Sequence, residues 1–220
     1  RHIMEEGGEP VLTDLMDFFL YCLLDPVYLW RHMGGKAFPA FSNWLLIKRI
    51  ESLRDAMRRA LEGSRFLPVS RIADLARSVR GIVSTGNQAG EGWLLTAEML
   101  ELIDHGVGNV LCLQPFGCLP NHITGKGVLK ELKRIRPHAN LMAVDYDPGS
   151  SEANQLNRIK LFMTVAHSRI PQEAQGDHAP ASLNESVAQL AGRLRDNLKG
   201  KLENTIGGSG NSGDEVTNLA

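Results

Sequence analysis

The sequence has few cysteines, no excess of charge of one sign and no long uninterrupted apolar run. Its 220 residues include three cysteines, 24 basic and 25 acidic residues, with a formal net charge of −1. A small, odd number of cysteines argues against a disulfide framework. Balanced charge without a block of Lys or Arg leaves no electrostatic footprint for nucleic acid or an anionic membrane. We therefore expect neither as a partner.

The most apolar stretch, VLTDLMDFFLYCLL from residue 11, is interrupted by Asp14 and Asp17. It is too short and too charged to cross a bilayer. The first ten residues, RHIMEEGGEP, lack the basic and apolar regions of a signal peptide. These features predict a cytoplasmic protein. A start at Arg1 rather than Met indicates residual vector sequence or a fragment of a longer protein.

The first 80 residues have helical periodicity. Apolar residues recur at steps of three and four over residues 11–32 and 42–61, and FPAF at 38–41 is expected to separate these two helices. A short third helix is predicted after Pro68, with Ser70 as its N-cap. Cys22, on the apolar side of the first helix, is expected in the core.

After Arg80 short apolar runs alternate with helical segments. GIVSTG at 81–86, VGNVLCLQ at 107–114 and NLMAVDY at 140–146 are predicted strands, and a helix follows each. Such alternation with short connections predicts parallel strands and right-handed crossovers. The last two strands are nearly all apolar, as a sheet covered on both faces requires. We therefore predict a three-layer α/β fold with a short parallel sheet, Rossmann- or flavodoxin-like, and N-terminal helices.

This pattern divides the chain into four predicted parts. A helical segment at 1–68 packs on an α/β core at 69–170, a C-terminal helical segment spans 171–205, and a disordered tail spans 206–220. The tail prediction rests on the Gly-, Ser- and Asn-rich string IGGSGNSGDEVTNLA.

Unusual side chains are concentrated where the predicted strands lead into helices. The three connections are TGNQAGEG at 85–92, QPFGCLPNHITGKG at 114–127 and DYDPGSS at 145–151. Strand-to-helix connections emerge at the carboxyl edge of a parallel sheet, where ligands of such folds bind. We therefore expect the three segments to meet at one edge and to form a site.

The cysteines in the middle connection are candidate metal ligands. Thiolates bind iron and zinc, and Cys118 lies at a helix start, which favours the thiolate. The spacing from Cys112 through Cys118 to His122 matches no common zinc or ferredoxin motif. Cys112 is equally well explained as a small core residue, and His122 as a ligand, a proton donor or a packing residue.

Helix starts at the same edge are candidate anion sites. Lys126, Ser150 and Ser151 are placed to meet a phosphate or carboxylate, although a solvated lysine and ordinary N-caps explain them equally well. Glu91 and Glu98 lie seven residues apart and share a helix face, with one expected near the loops and the other in solvent.

Three strings carry a resemblance to a known family: GNQAGEGWLLTAEMLELIDHG, NVLCLQPFGCLPNHITGKGVLKELK and NLMAVDYDPGSSEANQLNRIKL. They resemble the large bacterial activator of 2-hydroxyacyl-CoA dehydratase, also called CoA-substrate-specific enzyme activase. In that family an ATPase module is fused to a region similar to double-cubane iron–sulfur proteins. The resemblance covers roughly residues 80–167. No phosphate-binding strand start of the ATPase module and no upstream cysteine motif is present in this chain.

The resemblance implies a C-terminal fragment of a protein that uses ATP hydrolysis to drive a low-potential electron through iron–sulfur clusters. It makes Cys112 and Cys118 candidate ligands of a 4Fe-4S or double-cubane cluster. We expect the fragment to be cluster-free and not catalytic alone. Implied partners are the upstream ATPase and cysteine-rich segments, and a dehydratase or reductase subunit.

Two other functions remain open from the residues. One is a flavodoxin-like domain that binds acyl-CoA or a nucleotide at the helix starts of Lys126 and Ser150. The other is a docking scaffold without catalysis, whose interface is formed by the N-terminal helices.

Overall fold

The computed structural model describes residues 1–147, 149, 151–169, 192, 195, 196 and 199. The predicted C-terminal helical segment at 171–205, apart from those four positions, and the predicted tail at 206–220 lie outside the described residues. The chain divides into two compact units. Residues 1–50 and the described residues from 70 to 169 belong to the first unit, and residues 51–69 to the second.

Four helices precede the sheet: α1 (His2–Glu5), α2 (Leu15–Met33), α3 (Ala37–Leu61) and α4 (Ile72–Ser78). The boundaries of α2 follow from its flanking residues. The Asp14 carboxylate accepts a hydrogen bond from the Met16 N–H (3.0 Å), and Gly34 ends the helix in the left-handed conformation with φ +68°.

Three local predictions for this region are wrong. The FPAF string does not separate α2 from α3, because Pro39 lies in the first turn of α3, where no helical partner for its N–H is needed. Ser70 is not the N-cap of α4, since Arg71 holds that position and the Ser70 N–H donates to the Glu101 carboxylate (3.1 Å). Cys22 is exposed rather than in the core.

In the described part of the chain the sheet has two parallel strands, β1 (Asn109–Pro115) and β2 (Asn140–Tyr146), paired in register from one end to the other. Helix α5 (Gly92–Asp104) precedes β1, α6 (Leu129–Ile135) lies in the crossover, and α7 (Glu152–Ser168) follows β2. The predicted α/β fold with a short parallel sheet is confirmed. No described helix is long and apolar enough to cross a membrane.

The predicted strand at 81–86 does not form. Instead the N–H groups of Ile82 and Val83 both donate to the Val79 carbonyl, and Gly81 adopts φ +85°, so the chain turns directly after α4. The side chains of Ile82 and Val83 still pack against the core. Their apolar character reflects burial in a turn rather than sheet pairing.

Helices cover both faces of the sheet. On one face Val110 and Leu141 belong to the same buried cluster as α5 and α6 residues such as Leu100 and Leu132. On the other face Leu111 and Met142 pack against a smaller cluster from α7, namely Ile159, Phe162 and Met163. Successive strand residues thus alternate between two helical layers, as the sequence pattern predicted.

Candidate functional site

The three chemically unusual segments come together at the carboxyl edge of the sheet. A Cβ atom on Gly90 would lie 2.8 Å from Pro120 Cγ, so the 85–92 segment contacts the connection between β1 and α6. That connection, residues 116–128, is called the β1–α6 loop. Its Phe116 N–H donates to the Tyr146 carbonyl at the end of β2 (2.9 Å). The first segment thus reaches this edge although no strand leads into it.

The β1–α6 loop has an unusual helical structure. A π-helical turn, Asn121–Gly125, is followed by a 3₁₀ turn, Lys126–Val128, which leads into α6. Side-chain hydroxyls hold the π turn: Thr124 Oγ1 donates to the Pro120 carbonyl (2.9 Å), and Thr96 Oγ1 of α5 donates to the Thr124 carbonyl (2.6 Å). Single π turns are frequent at functional sites.

A buried amide connects the strand to the loop. Gln114 is 0% exposed, its Nε2 donates to Cys112 Sγ (3.0 Å), and its Oε1 lies 2.9 Å from His122 Nδ1. Because an amide oxygen only accepts, Nδ1 is the donor. Cys112, Gln114 and His122 are called the Gln114 network. It fixes the orientation of the His122 ring.

Gly125 closes over this network. A Cβ atom at this position would lie 3.0 Å from both Cys112 Sγ and Gln114 Nε2, and 2.8 Å from Leu95 Cδ2. The loop backbone therefore lies directly against the Cys112 sulfur. Only a residue without a side chain fits here.

Cys112 has the environment of a core thiol. Burial raises the pKa of the Cys112 thiol, and the hydrogen bond from Gln114 only partly opposes this. With Gly125 and Gln114 packed against its sulfur, Cys112 is the weaker of the two candidate ligands. The thiolate that ligation requires is disfavoured at this position.

Cys118 lies in a different environment. It is half-buried in the β1–α6 loop, and its Sγ accepts a hydrogen bond from Asn121 Nδ2 (3.1 Å). Amide donation to sulfur is an interaction that tunes cluster thiolates. Within the described part of the chain, no group of three or more Cys, His, Asp or Glu side chains is arranged to hold a metal ion.

The predicted anion-binding residues are less favourably placed. Lys126 Nζ forms an ion pair with Asp145 Oδ2 at the end of β2 (3.0 Å), so its charge is already partly neutralised. Ser151 is the N-cap of α7, and its side chain forms no capping hydrogen bond. Ser150 lies outside the described residues.

Sequence reasoning missed Gln114, Asn121 and the burial of Glu98. Glu98 was expected either near the loops or in solvent, but burial raises its pKa to about 7, with smaller contributions from Asp17, Glu101 and Glu91. A signal for Gln114 was present in the sequence, because a lone amide at the end of an apolar strand must find partners.

No protein-family model, curated protein or solved structure matches it.

Proposed function

We propose that this chain is the C-terminal part of a cytoplasmic activator-type protein of the 2-hydroxyacyl-CoA dehydratase family, in which Cys118 is a ligand of an iron–sulfur cluster. The observation that carries the proposal is the position of Cys118. Its half-buried sulfur accepts from Asn121 within the loop where three segments of the chain meet. The sequence strings that resemble the family include this same loop.

The described residues provide only part of the ligand set that such a cluster needs. Cys118 supplies one thiolate and Asn121 one N–H donor, while the remaining ligands come from the upstream cysteine-rich segment of the proposed longer protein. A bound cluster would supply one-electron transfer at low potential. The role of this chain is to bind, to orient the sulfur and to donate hydrogen bonds to it. In the proposed longer protein, ATP hydrolysis in the ATPase module drives the electron toward a dehydratase or reductase subunit.

Anaerobic reconstitution with iron and sulfide tests the proposal on the longer polypeptide. Cys118→Ser is expected to lower the iron and acid-labile sulfide content per chain. Cys22→Ser is the matched control, because Cys22 is an exposed thiol on α2 and is expected to leave both unchanged. Cys112→Ser tests the second candidate ligand, for which the buried thiol predicts a smaller effect. An unchanged iron content in Cys118→Ser contradicts the proposal.

A docking scaffold is the second candidate, because α2 and the start of α3 expose large apolar side chains. Leu15 is 71% exposed, Met33 72% and Phe38 81%. Exposed apolar groups on neighbouring helices are typical of interaction surfaces. Co-purification with a dehydratase or reductase subunit, lost in Phe38→Ser but retained in Leu161→Ser on α7, would support this function.

The acyl-CoA or nucleotide-binding alternative has less support, because Lys126 is engaged by Asp145. Thermal-shift measurements with CoA esters and nucleotides test it. A thermal shift that is lost in Ser151→Ala would support the ligand-binding alternative, and the absence of any thermal shift would contradict it.

A further inference from the structure

Among the residues that the structure describes, none pairs with the main-chain groups of β1 that point away from β2. At the two ends of the pairing the Asn140 N–H donates to the Gly108 carbonyl, and the Phe116 N–H donates to the Tyr146 carbonyl. In a parallel pair every second residue bonds to the neighbouring strand, so Val110, Cys112 and Gln114 bond to β2. The alternate residues Asn109, Leu111 and Leu113 therefore direct their N–H and C=O groups to the free edge.

The opposite edge of the sheet, formed by β2, differs from the β1 edge at one residue. There the Ala143 carbonyl of β2 accepts a hydrogen bond from Arg158 of α7 (2.8 Å). Within the described part of the chain, the main-chain groups of Leu111 and Leu113 form no hydrogen bond. An exposed row of unpaired strand groups is a template for another strand. Among the described residues the outward main-chain groups of Leu141 and Asp145 on β2 also form no hydrogen bond, so the two edges differ at Ala143.

Residues 9–13, called the N-terminal strap, run beside this edge without pairing to it. No backbone hydrogen bond joins the strap to β1, and Leu12 is 89% exposed. The strap nevertheless lines the same space as the edge, since Val11 and Leu12 border two cavities together with Leu111 and Leu113. The strap thus borders the position of a third strand without occupying it as one.

The two cavities share Leu111 and Leu113 and extend toward different helices. The larger, about 400 Å³, is bordered by α7 residues Phe162 and Met163, and the smaller, about 240 Å³, by α5 residues Leu95 and Glu98. A strand added to β1 would direct alternate side chains into the two spaces. The α7 side is lined mainly by apolar side chains, with Glu9 and His167 at its border, and suits aliphatic side chains.

The α5 side has a negative character. Glu98 is half-buried there, with the Thr13 hydroxyl as a hydrogen-bond partner and Asp17 of α2, Glu91 and Glu101 of α5 as acidic neighbours. The Cys112 thiol also faces it. Desolvation and like charges both disfavour the carboxylate form of Glu98, and a basic side chain placed beside Glu98 would offset this effect. A complementary strand therefore carries Lys or Arg on this side.

We propose that the free edge of β1, from Asn109 to Leu113, binds an extended segment of a partner polypeptide that adds a third strand, with apolar side chains toward α7 and a basic side chain toward Glu98. The binding mode is strand addition, in which main-chain hydrogen bonds give affinity and alternate side chains give specificity. Pro115 limits the site at its carboxyl end, because its position on the outward-facing set has no N–H. This inference does not depend on the proposed cluster.

Amide hydrogen exchange followed by NMR tests the proposal directly. The probe is the peptide acetyl-Val-Lys-Val-Thr-Val-amide, added to the whole chain. We expect exchange of the Asn109, Leu111 and Leu113 amides to slow about tenfold or more, because these N–H groups become paired. The Val110 and Cys112 amides, already bonded to β2, should not change. This alternation distinguishes strand addition from any other contact with the surface.

A second peptide and two variants test the specificity. The peptide with Glu in place of Lys should bind about tenfold more weakly, and Glu98→Gln should remove most of this preference. Leu113→Pro deletes an outward N–H and should abolish the slowing at Leu111, whereas Leu113→Thr, which keeps the N–H, should retain it. Should Leu113→Pro fail to fold, the Glu98→Gln result decides.

Four results would overturn the proposal. These are unchanged exchange at the solubility limit of the peptide, equal binding of the Lys and Glu peptides, and protection of the Leu111 and Leu113 amides already in the free protein. The fourth is protection that rises with protein concentration alone, which would identify a second copy of the chain as the occupant.

Discussion

Two polar connections hold the carboxyl edge of the sheet, and they differ in burial. The Gln114 network joins β1 to the β1–α6 loop through a side chain that is 0% exposed. The Lys126–Asp145 ion pair joins the same loop to β2, but its side chains are 46% and 41% exposed. Both are within hydrogen-bonding distance, so contact geometry does not distinguish them.

Burial decides which connection matters for stability. Removing Gln114 leaves the buried Cys112 sulfur without its hydrogen-bond donor, and an unsatisfied buried group costs about 1–3 kcal/mol. An exposed ion pair exchanges its partner for water and contributes about 0–1 kcal/mol. The neutral amide is therefore expected to be more important than the charged pair.

Gln114→Ala has the largest expected effect. It leaves a void beside Cys112 and removes the partner of His122 Nδ1, which should lower the free energy of unfolding by about 2–4 kcal/mol. Urea denaturation followed by circular dichroism measures this. Gln114→Met, which keeps the volume without the hydrogen bonds, should lose less than Ala, and exposed Asn157→Ala on α7 should change little. A loss for Gln114→Ala no larger than for Asn157→Ala would refute the comparison.

Gly125→Ala is expected to be next in size. The added Cβ atom would approach Cys112 Sγ and Gln114 Nε2 to 3.0 Å, and the loop must move to accommodate it. We expect a loss of about 1–3 kcal/mol, as for other overpacked sites. Gly108→Ala is the matched control, since a Cβ atom there meets nothing within 4 Å. Equal urea midpoints for the two variants would show that the network tolerates displacement.

The sequence predicted the layers of this fold better than its number of strands. Two nearly all-apolar runs, each followed by a helix, form β1 and β2. A strand that is apolar on both faces is stable in a parallel sheet whose two faces are covered by helices. The GIVSTG string has the same β-branched character but forms turns after α4, with Ile82 packed on the core. Local composition is the same for a buried turn and a short strand, and tertiary packing decides between them.

The candidate site was predictable as a location but not as a set of contacts. The rule that parallel strands direct their connections to one edge brought Cys118, Lys126 and Asp145 to the same region. It does not specify that Lys126 pairs with Asp145 or that Gln114 bonds to His122. These contacts depend on the π turn at Asn121–Gly125, which no short-range signal in the sequence indicates.

Glu98 is a half-buried carboxyl group that interacts electrostatically with Cys112, and its effect on stability depends on pH. Its pKa is raised to about 7 in the folded protein, above the ordinary value near 4.3, so between these values the folded state binds more protons than the unfolded state. Stability should therefore decrease as pH rises from about 4.5 through 7. Glu98→Gln should remove this slope and stabilise the chain by about 1–2 kcal/mol at pH 8, allowing for partial solvation.

Urea denaturation at several pH values between 5 and 8 measures the slope. Glu152→Gln, at an exposed glutamate in the first turn of α7, should leave the slope unchanged. If the wild-type and Glu98→Gln slopes coincide, Glu98 is hydrated in solution, and burial in the α5-side cavity does not disfavour its carboxylate form.

Lys126→Met has the smallest expected effect. It keeps the aliphatic stem and removes only the charge, so we expect a loss of no more than about 0.5 kcal/mol, which disappears in about 1 M salt. Lys130→Met is the control for loss of an exposed charge on the following helix. A loss comparable with that of Gln114→Ala would mean that the ion pair is shielded from water, and would reverse the comparison. In that case Lys126 would be firmly held by Asp145, and the helix start would be still less able to bind a phosphate.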